Sequence, residues 1–185
     1  MIRPKTVGDS LKIFKAVLFY LWQFTFGITQ NIMGLAMLAV CKMDGAESEW
    51  YHHALITYTD KKNFGGVSLG MFIFINKNRT GSQRHDTKIH EYGHTVQTMI
   101  LGPLWLFVIA IPSVIWCNTP YFINKRKAEN ISYYWLYCEG WSNLCGLRAT
   151  KEHFMTPELI NKGRYGRPIT GTSKQKGIKS RRRKK

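Results

Sequence analysis

Residues 86–101 read Asp86-Thr87-Lys88-Ile89-His90-Glu91-Tyr92-Gly93-His94-Thr95-Val96-Gln97-Thr98-Met99-Ile100-Leu101, followed by Gly102-Pro103. Asp86 or Thr87 can accept from the first free N–H groups of a helix, and Gly102-Pro103 ends or kinks one. The stretch therefore predicts a helix from about residue 86 or 87 to Leu101. His90 and His94 lie one turn apart on its face, so both imidazoles can meet one Zn²⁺, while Glu91 can reach water held by that ion. With six His and seven Glu in 185 residues, random order yields such an H-E-x-x-H pattern in under about 1 % of chains.

A catalytic zinc needs a third protein ligand and an open fourth position. The best downstream candidate is Glu139, in Tyr137-Cys138-Glu139-Gly140-Trp141-Ser142-Asn143, on a last helix expected over roughly residues 131–150. Asn143 follows Glu139 by one turn, so a ligating carboxylate and an amide that orients a ligating His can share a face. His153, Glu129 and the pair His85 and Asp86 remain rivals for the third place. His52 and His53 are adjacent on an expected strand and point to opposite faces, so they read as structural or surface residues.

Upstream of the motif, Ala54 to Thr59 is β-rich, Asp60-Lys61-Lys62-Asn63 is turn chemistry, and Gly65-Gly66 opens Val67 to Asn76. These predict a β-hairpin, with a polar loop from Asn76 to Asp86. Downstream, Leu104 to Ile111 reads as an apolar helical piece, Pro112 as a break, and Asn118 to Lys127 as a loop with a basic end.

Two uncharged stretches raise the question of a membrane. Residues 16–40 form a run of 25 within an expected apolar helix 14–41, long enough for a hydrocarbon core of roughly 30 Å. Gln23, Gln30 and Asn31 inside it need polar partners, and Gly27 and Gly34 permit close packing. The basic residues before this run resemble the start of a secretory leader, but the run is long for one, and it is expected to be retained. Residues 98–117 form a second run, of 20. A true span there would put Glu139 on the side opposite His90 and His94, and Pro103 and Pro112 divide the run. A re-entrant or interfacial arrangement is therefore expected.

Composition sets the outer bounds. At 44 % hydrophobic and 14 % aromatic, disorder throughout is excluded. Of the net charge of +16, residues 118–185 carry +12. The segment 163–185 has ten Lys or Arg and no acid, which predicts a disordered tail drawn to anionic lipid. No aromatic-rich basic groove accompanies it, which argues against nucleic acid as a partner. Cys41, Cys117, Cys138 and Cys145 lack C-x-x-C spacing and read as reduced, buried thiols. The domain expectation is one domain over residues 1–162 and the tail beyond.

Together, His90-Glu91-Tyr92-Gly93-His94 and the Glu139–Asn143 segment resemble the gluzincin branch of zinc metallopeptidases. The wider pattern, Gly65-Gly66-Val67-Ser68-Leu69-Gly70, then HEYGHTVQ, then Leu101-Gly102-Pro103-Leu104 and Ile111-Pro112-Ser113, is also similar to a group of small bacterial membrane-associated proteins carrying HEYGH, which brings no established substrate. The gluzincin resemblance implies that His90, His94 and Glu139 ligate Zn²⁺ and that Glu91 is the general base. It also implies that one of Tyr133, Tyr134 and Tyr137 can polarise the carbonyl oxygen, and that Val67 to Asn76 is an edge strand able to pair with an extended substrate. Gly93 departs from helix preference by up to about 1 kcal/mol while giving the metal face room.

The resulting expectation is an α+β fold: a minimal zincin-like domain with a β-hairpin or small sheet, the H-E-x-x-H helix, a Glu-bearing helix and an apolar N-terminal helix. Its expected function is peptide hydrolysis by a zinc metallopeptidase at a bacterial cytoplasmic membrane, with the basic tail cytoplasmic. Its partners are then a peptide or protein substrate and membrane lipid. The rival expectation is a non-enzymatic membrane protein whose metal site is structural or vestigial.

Overall fold

All four side chains of Phe72-Ile73-Phe74-Ile75 are buried. Successive strand residues face opposite ways, so this segment must be covered on both sides. In the computed structural model, which describes residues 7–61 and 64–162, both sides are covered. The basic tail 163–185, with Arg3 and Lys5, lies outside the described residues.

The chain begins with α1 (Val7–Thr25) and α2 (Ile28–Met43), then β1 (Ser48–Tyr51), β2 (Ala54–Thr59), β3 (Gly66–Leu69) and β4 (Phe72–Asn76). The long α3 (Gly81–Leu101) follows, then a 3₁₀ turn (Gly102–Leu104), a π turn (Leu106–Ala110), α4 (Ile111–Asn118) and α5 (Pro120–Ala128). A second 3₁₀ turn (Tyr133–Trp135) leads into α6 (Tyr137–Thr150) and α7 (Pro157–Lys162). The fold is α+β, with a mixed four-stranded sheet of order β1-β2-β4-β3. β2 and β4 are parallel, and the two outer pairings are antiparallel. Phe72 and Phe74 pack with Phe19 of α1 and Cys41 of α2, whereas Ile73 and Ile75 pack with Ile56 and with Tyr92 of α3.

The single hairpin expected from Ala54 to Asn76 is thus two hairpins. Gly70, at φ 67°, turns the chain inside what reads as one strand, and Asn31 lies against it where a Cβ would be 2.4 Å from its amide. Ser48 to Tyr51 pairs with β2 through a turn formed by His52 and His53, with His52 at φ 50°.

The expected helix 14–41 is broken. α1 and α2 meet at 90° at Phe26-Gly27, where a Cβ on Gly27 would sit 2.9 Å from Thr98. The elbow is fastened by the three amides that the sequence left in need of partners. Gln23 donates to the Thr95 carbonyl at 3.3 Å and Gln30 to that of Gly102 at 2.7 Å. Asn31 donates to Gln23 and Gly27 and accepts from the Met71 N–H at 2.9 Å. These amides are buried, so each bond offsets a desolvation cost of about 1–3 kcal/mol.

α3 starts earlier than expected, because Thr80 and Gln83 form a capping box. Asp86 instead accepts from the Met155 and Thr156 N–H groups at 2.7 and 2.8 Å, holding the segment after α6. At Gly102 the chain turns sharply, and the direction of α3 and that of Leu106–Asn118 differ by 117°. Among the described residues no single helix is long and apolar enough to cross a membrane. Residues 118–127, expected as a loop, are mostly α5, which has Pro in its first turn and Lys125, Arg126 and Lys127 in its last. Cys117 is exposed, unlike the other three thiols.

α3 and α6 touch backbone to backbone. A Cβ on Gly93 would lie 1.9 Å from the Ser142 carbonyl oxygen, and one on Gly146 would lie 2.0 Å from that of Ile89. The Ser142 hydroxyl also donates to the His90 carbonyl at 2.6 Å. Helix propensity alone favours Gly146→Ala by about 1 kcal/mol, but the contact opposes it. We expect Gly146→Ala to lower stability by about 1–3 kcal/mol, seen as an earlier urea midpoint. A later midpoint would show that the helices can separate freely.

Candidate metal centre

Backbone contact at Gly93 is what brings α6 against the histidine-bearing face of α3, so the room this glycine makes is filled by Ser142. Glu139 lies in the first turn of α6, fully buried, with Oε2 3.0 Å from His90 Nε2 and 3.5 Å from His94 Nε2. A tetrahedral ion with ligand bonds of about 2.0–2.1 Å spaces its ligand atoms about 3.3–3.4 Å apart. The two observed separations bracket that spacing. His90, His94 and Glu139 can hold a metal ion, and they form the one such cluster of three among the described residues.

Hydrogen bonding prepares the same three atoms. Gln97 donates its amide N–H to the Cys138 carbonyl at 2.9 Å, which turns its Oε1 toward His94 Nδ1 at 2.7 Å. An acceptor there makes Nδ1 the protonated nitrogen of a neutral ring and leaves the Nε2 lone pair for the site. Asn143 Oδ1 stands 2.8 Å from His90 Nδ1 and acts alike. Glu139 Oε2, by contrast, is buried without a hydrogen-bond partner of acceptable geometry among the described residues, despite the nearby imidazoles. A buried carboxylate oxygen left this way, facing two imidazole nitrogens, fits a cation.

Without a cation the cluster is held by protons. Burial alone would push His94 down, but the adjoining Glu139 carboxylate outweighs it and holds the imidazole up at about 9. Burial likewise opposes ionisation of Glu139, yet the two imidazoles of His90 and His94 close to its carboxylate hold it well below the ordinary carboxylate range.

Glu91 is buried beside the cluster, outside the group of three. A Cβ on Gly66 would lie 2.5 Å from its Oε1, so the first residue of β3 must be glycine for this carboxylate to sit there. Burial raises its pKa, against the lowering charges of His90 and His94. Glu91, His90 and His94 open onto a cavity of about 480 Å³. Edge strand β3 forms one wall, Trp105 to Val114 contributes another, and Tyr133 and Tyr134 line it as well. The Tyr134 ring lies 5.2 Å from that of His90. Burial pushes both phenols up, Tyr133 with a further contribution from Glu139, so both stay protonated donors. Tyr137 is exposed and donates to the Val108 carbonyl, away from the cavity lining.

The rival ligands lie elsewhere. His85 meets the His153 carbonyl at 3.0 Å and Glu152, and Asp86 serves the Thr156 turn. Glu129 is exposed at the end of α5. His52 pairs with Glu152 at 3.0 Å, and His53 packs on Phe19. Two residues at the cluster and its cavity escaped the sequence reading. Gln97 was legible only as a polar residue three positions after His94, and Arg79, which lines the cavity, as one charge in a polar loop.

No protein-family profile, curated protein or solved structure matches the chain.

Because His94 must lose a proton to ligate, metal affinity should rise about tenfold per pH unit below the His94 value of about 9 and level off above it. Competition titrations with a chelator across that range measure this, and a flat profile would refute the proton-held cluster. Gln97→Leu should weaken metal binding by about 10- to 100-fold, since the imidazole loses the acceptor that orients it.

Proposed function

We propose that the protein is a zinc-dependent peptidase of minimal zincin-like build, working at a membrane surface. The observation that carries this reading is the convergence of His90 Nε2, His94 Nε2 and Glu139 Oε2 beside a cavity whose lining includes both histidines and Glu91, with Glu139 buried behind them. Two imidazoles and one carboxylate with an open side suit a catalytic zinc. Bound there, zinc would supply a Lewis acid and a bound water of lowered pKa.

The chain's own residues account for the rest. Glu91 accepts the proton of the attacking water and returns it to the departing amine, and its raised pKa suits a group that must do both. Tyr133 and Tyr134, kept protonated, are the donors available to the carbonyl oxygen as it gains charge. Edge strand β3, bordering the cavity, offers its outer side to an extended peptide.

The membrane part of the reading rests on surface chemistry. Phe14, Leu18, Leu21 and Trp22 of α1, Ile32 and Leu35 of α2, and Leu104, Phe107, Ile111 and Val114 are all exposed. Bent by 90° and 117°, the segments that carry them suit helices lying in the interfacial plane or dipping into it.

Purified full-length protein should hold about one zinc per chain, lose it in Glu139→Gln, and keep it in Glu91→Gln while peptide hydrolysis falls by at least about 10²-fold. Hydrolysis by Glu91→Gln at the native rate would sink the peptidase reading. Metal retained with no hydrolysis of any peptide pool by the native chain would leave a structural metal site. Flotation with neutral phosphatidylcholine vesicles should persist in about 1 M salt, where charge attraction is screened. Loss of flotation there would remove the apolar faces as the membrane contact.

A further inference from the structure

Among the described residues, the cavity lined by Glu91 and the two histidines takes in one Arg or Lys side chain, that of Arg79. Arg79 lies half-buried in the turn between β4 and α3. Its guanidinium rests against Gly65, where a Cβ would lie 2.8 Å from Nη2. The hydrogen bonds of this residue run through its backbone, to Asn76 and from Arg84. Among the described residues no acid or carbonyl takes a hydrogen bond or ion pair from the guanidinium. Neighbouring cations differ: Lys77 pairs with Asp60, Lys88 with Glu49, and Arg84 donates to the Lys77 carbonyl. Five donors without an acceptor among the described residues, partly withdrawn from water, are a group that a ligand anion completes.

The position of this cation is tied to the reacting groups. Gly65 carries Arg79 and the next residue, Gly66, carries Glu91, each through the absence of a Cβ. Arg79 and Glu91 therefore both line the cavity where β3 begins, and among the described residues they form no ion pair. The lining also includes the apolar Leu106, Ile109 and Val114, so an anionic group entering the cavity finds its hydrogen-bond donors at Arg79. One guanidinium balances one negative charge. A singly charged carboxylate matches that single charge and the planar fork of the guanidinium, whereas a doubly charged phosphate would leave a second charge to be balanced.

We propose that Arg79 is a specificity-determining residue that receives the C-terminal carboxylate of a short peptide with apolar side chains, so that the amide presented to Glu91 is one close to the chain end. This rests on the peptidase reading. One water is consumed, the C–N bond breaks, the carbonyl carbon keeps the hydroxyl, and the amine leaves with the proton from Glu91.

The test uses full-length zinc-loaded protein and a pair of probes: a hydroxamate joined to leucine with its carboxylate free, and the same compound as the primary carboxamide. Calorimetry should find the carboxylate bound about 10- to 100-fold more tightly. That preference should fall to within about twofold in Arg79→Gln and be reduced but present in Arg79→Lys, which keeps charge without the planar fork. A phosphonate counterpart should bind more weakly than the carboxylate. Equal binding of carboxylate and carboxamide by the native chain, a preference unchanged in Arg79→Gln, or no binding of either probe would overturn the proposal. Thermal melting and zinc content verify that each variant is folded, and the native comparison stands even if Arg79→Gln does not fold. The two readings fail separately. Peptides cleaved alike with free and amidated ends would leave a peptidase without this subsite, whereas an Arg79-dependent preference without hydrolysis would leave the subsite without a peptidase.

Discussion

The approach of α3 and α6 to backbone contact is the constraint on which the site depends. Gly93 and Gly146 each meet a carbonyl oxygen of the other helix at a distance no side chain permits. Only with that clearance does the first turn of α6 place Glu139 in reach of two imidazoles one turn apart on α3. The Ser142 to His90 carbonyl bond and the Gln97 to Cys138 carbonyl bond stitch the same crossing. Cluster residues and packing residues lie on the same faces of the two helices, so site geometry and fold stability share one interface. A glycine inside H-E-x-x-H, poor by helix propensity, is favoured here because what it admits is worth more than what it costs.

Burying this cluster is expensive unless it is paired. Two imidazoles and a carboxylate out of water need a shared charge partner, and the chain provides either protons, held by the His94 and Glu139 coupling, or the position for a cation. The amides of Asn143 and Gln97 serve both conditions, since each amide oxygen accepts from a ring Nδ1–H whether Nε2 carries a proton or faces a cation. Glu91 differs because its carboxylate turns toward Gly66 and the cavity.

The motif and its helix were legible because i and i+4 spacing is itself the geometry of the site. Glu139 was legible as one of several candidates, and Asn143 as its companion, because both repeat the one-turn logic. What decided among the candidates was the helix crossing, which rests on Gly93 and Gly146, and a glycine's role in a crossing depends on a partner far along the chain. The sheet was misread for a similar reason: Gly70 turns the chain within an unbroken apolar run, and the Asn31 that steadies the turn comes from α2. Charge-free sequence from Ala16 to Val40 suggested one helix, because Phe26-Gly27 carries no proline and the elbow is made by contacts with Thr98 and Gly102. In α5 the usual signals, Pro in the first turn and bases in the last, were present, and polarity obscured them.

The elbow bears on how this protein can be handled. Its outward face is apolar and suggests a detachable greasy leader, the sort of segment routinely cut away to obtain a well-behaved catalytic fragment. Its inward face is not detachable. Gln23, Gln30 and Asn31 close the carbonyls of Thr95 and Gly102 and the N–H of Met71, and Phe19 and Cys41 cover the phenylalanines of β4. Trimming the chain before β1 would strip one side of the sheet and loosen the far end of the helix that carries both histidines. A water-soluble form is better reached by repainting outward positions such as Leu18, Leu21, Ile32 and Leu35 with polar residues, leaving the buried amides in place.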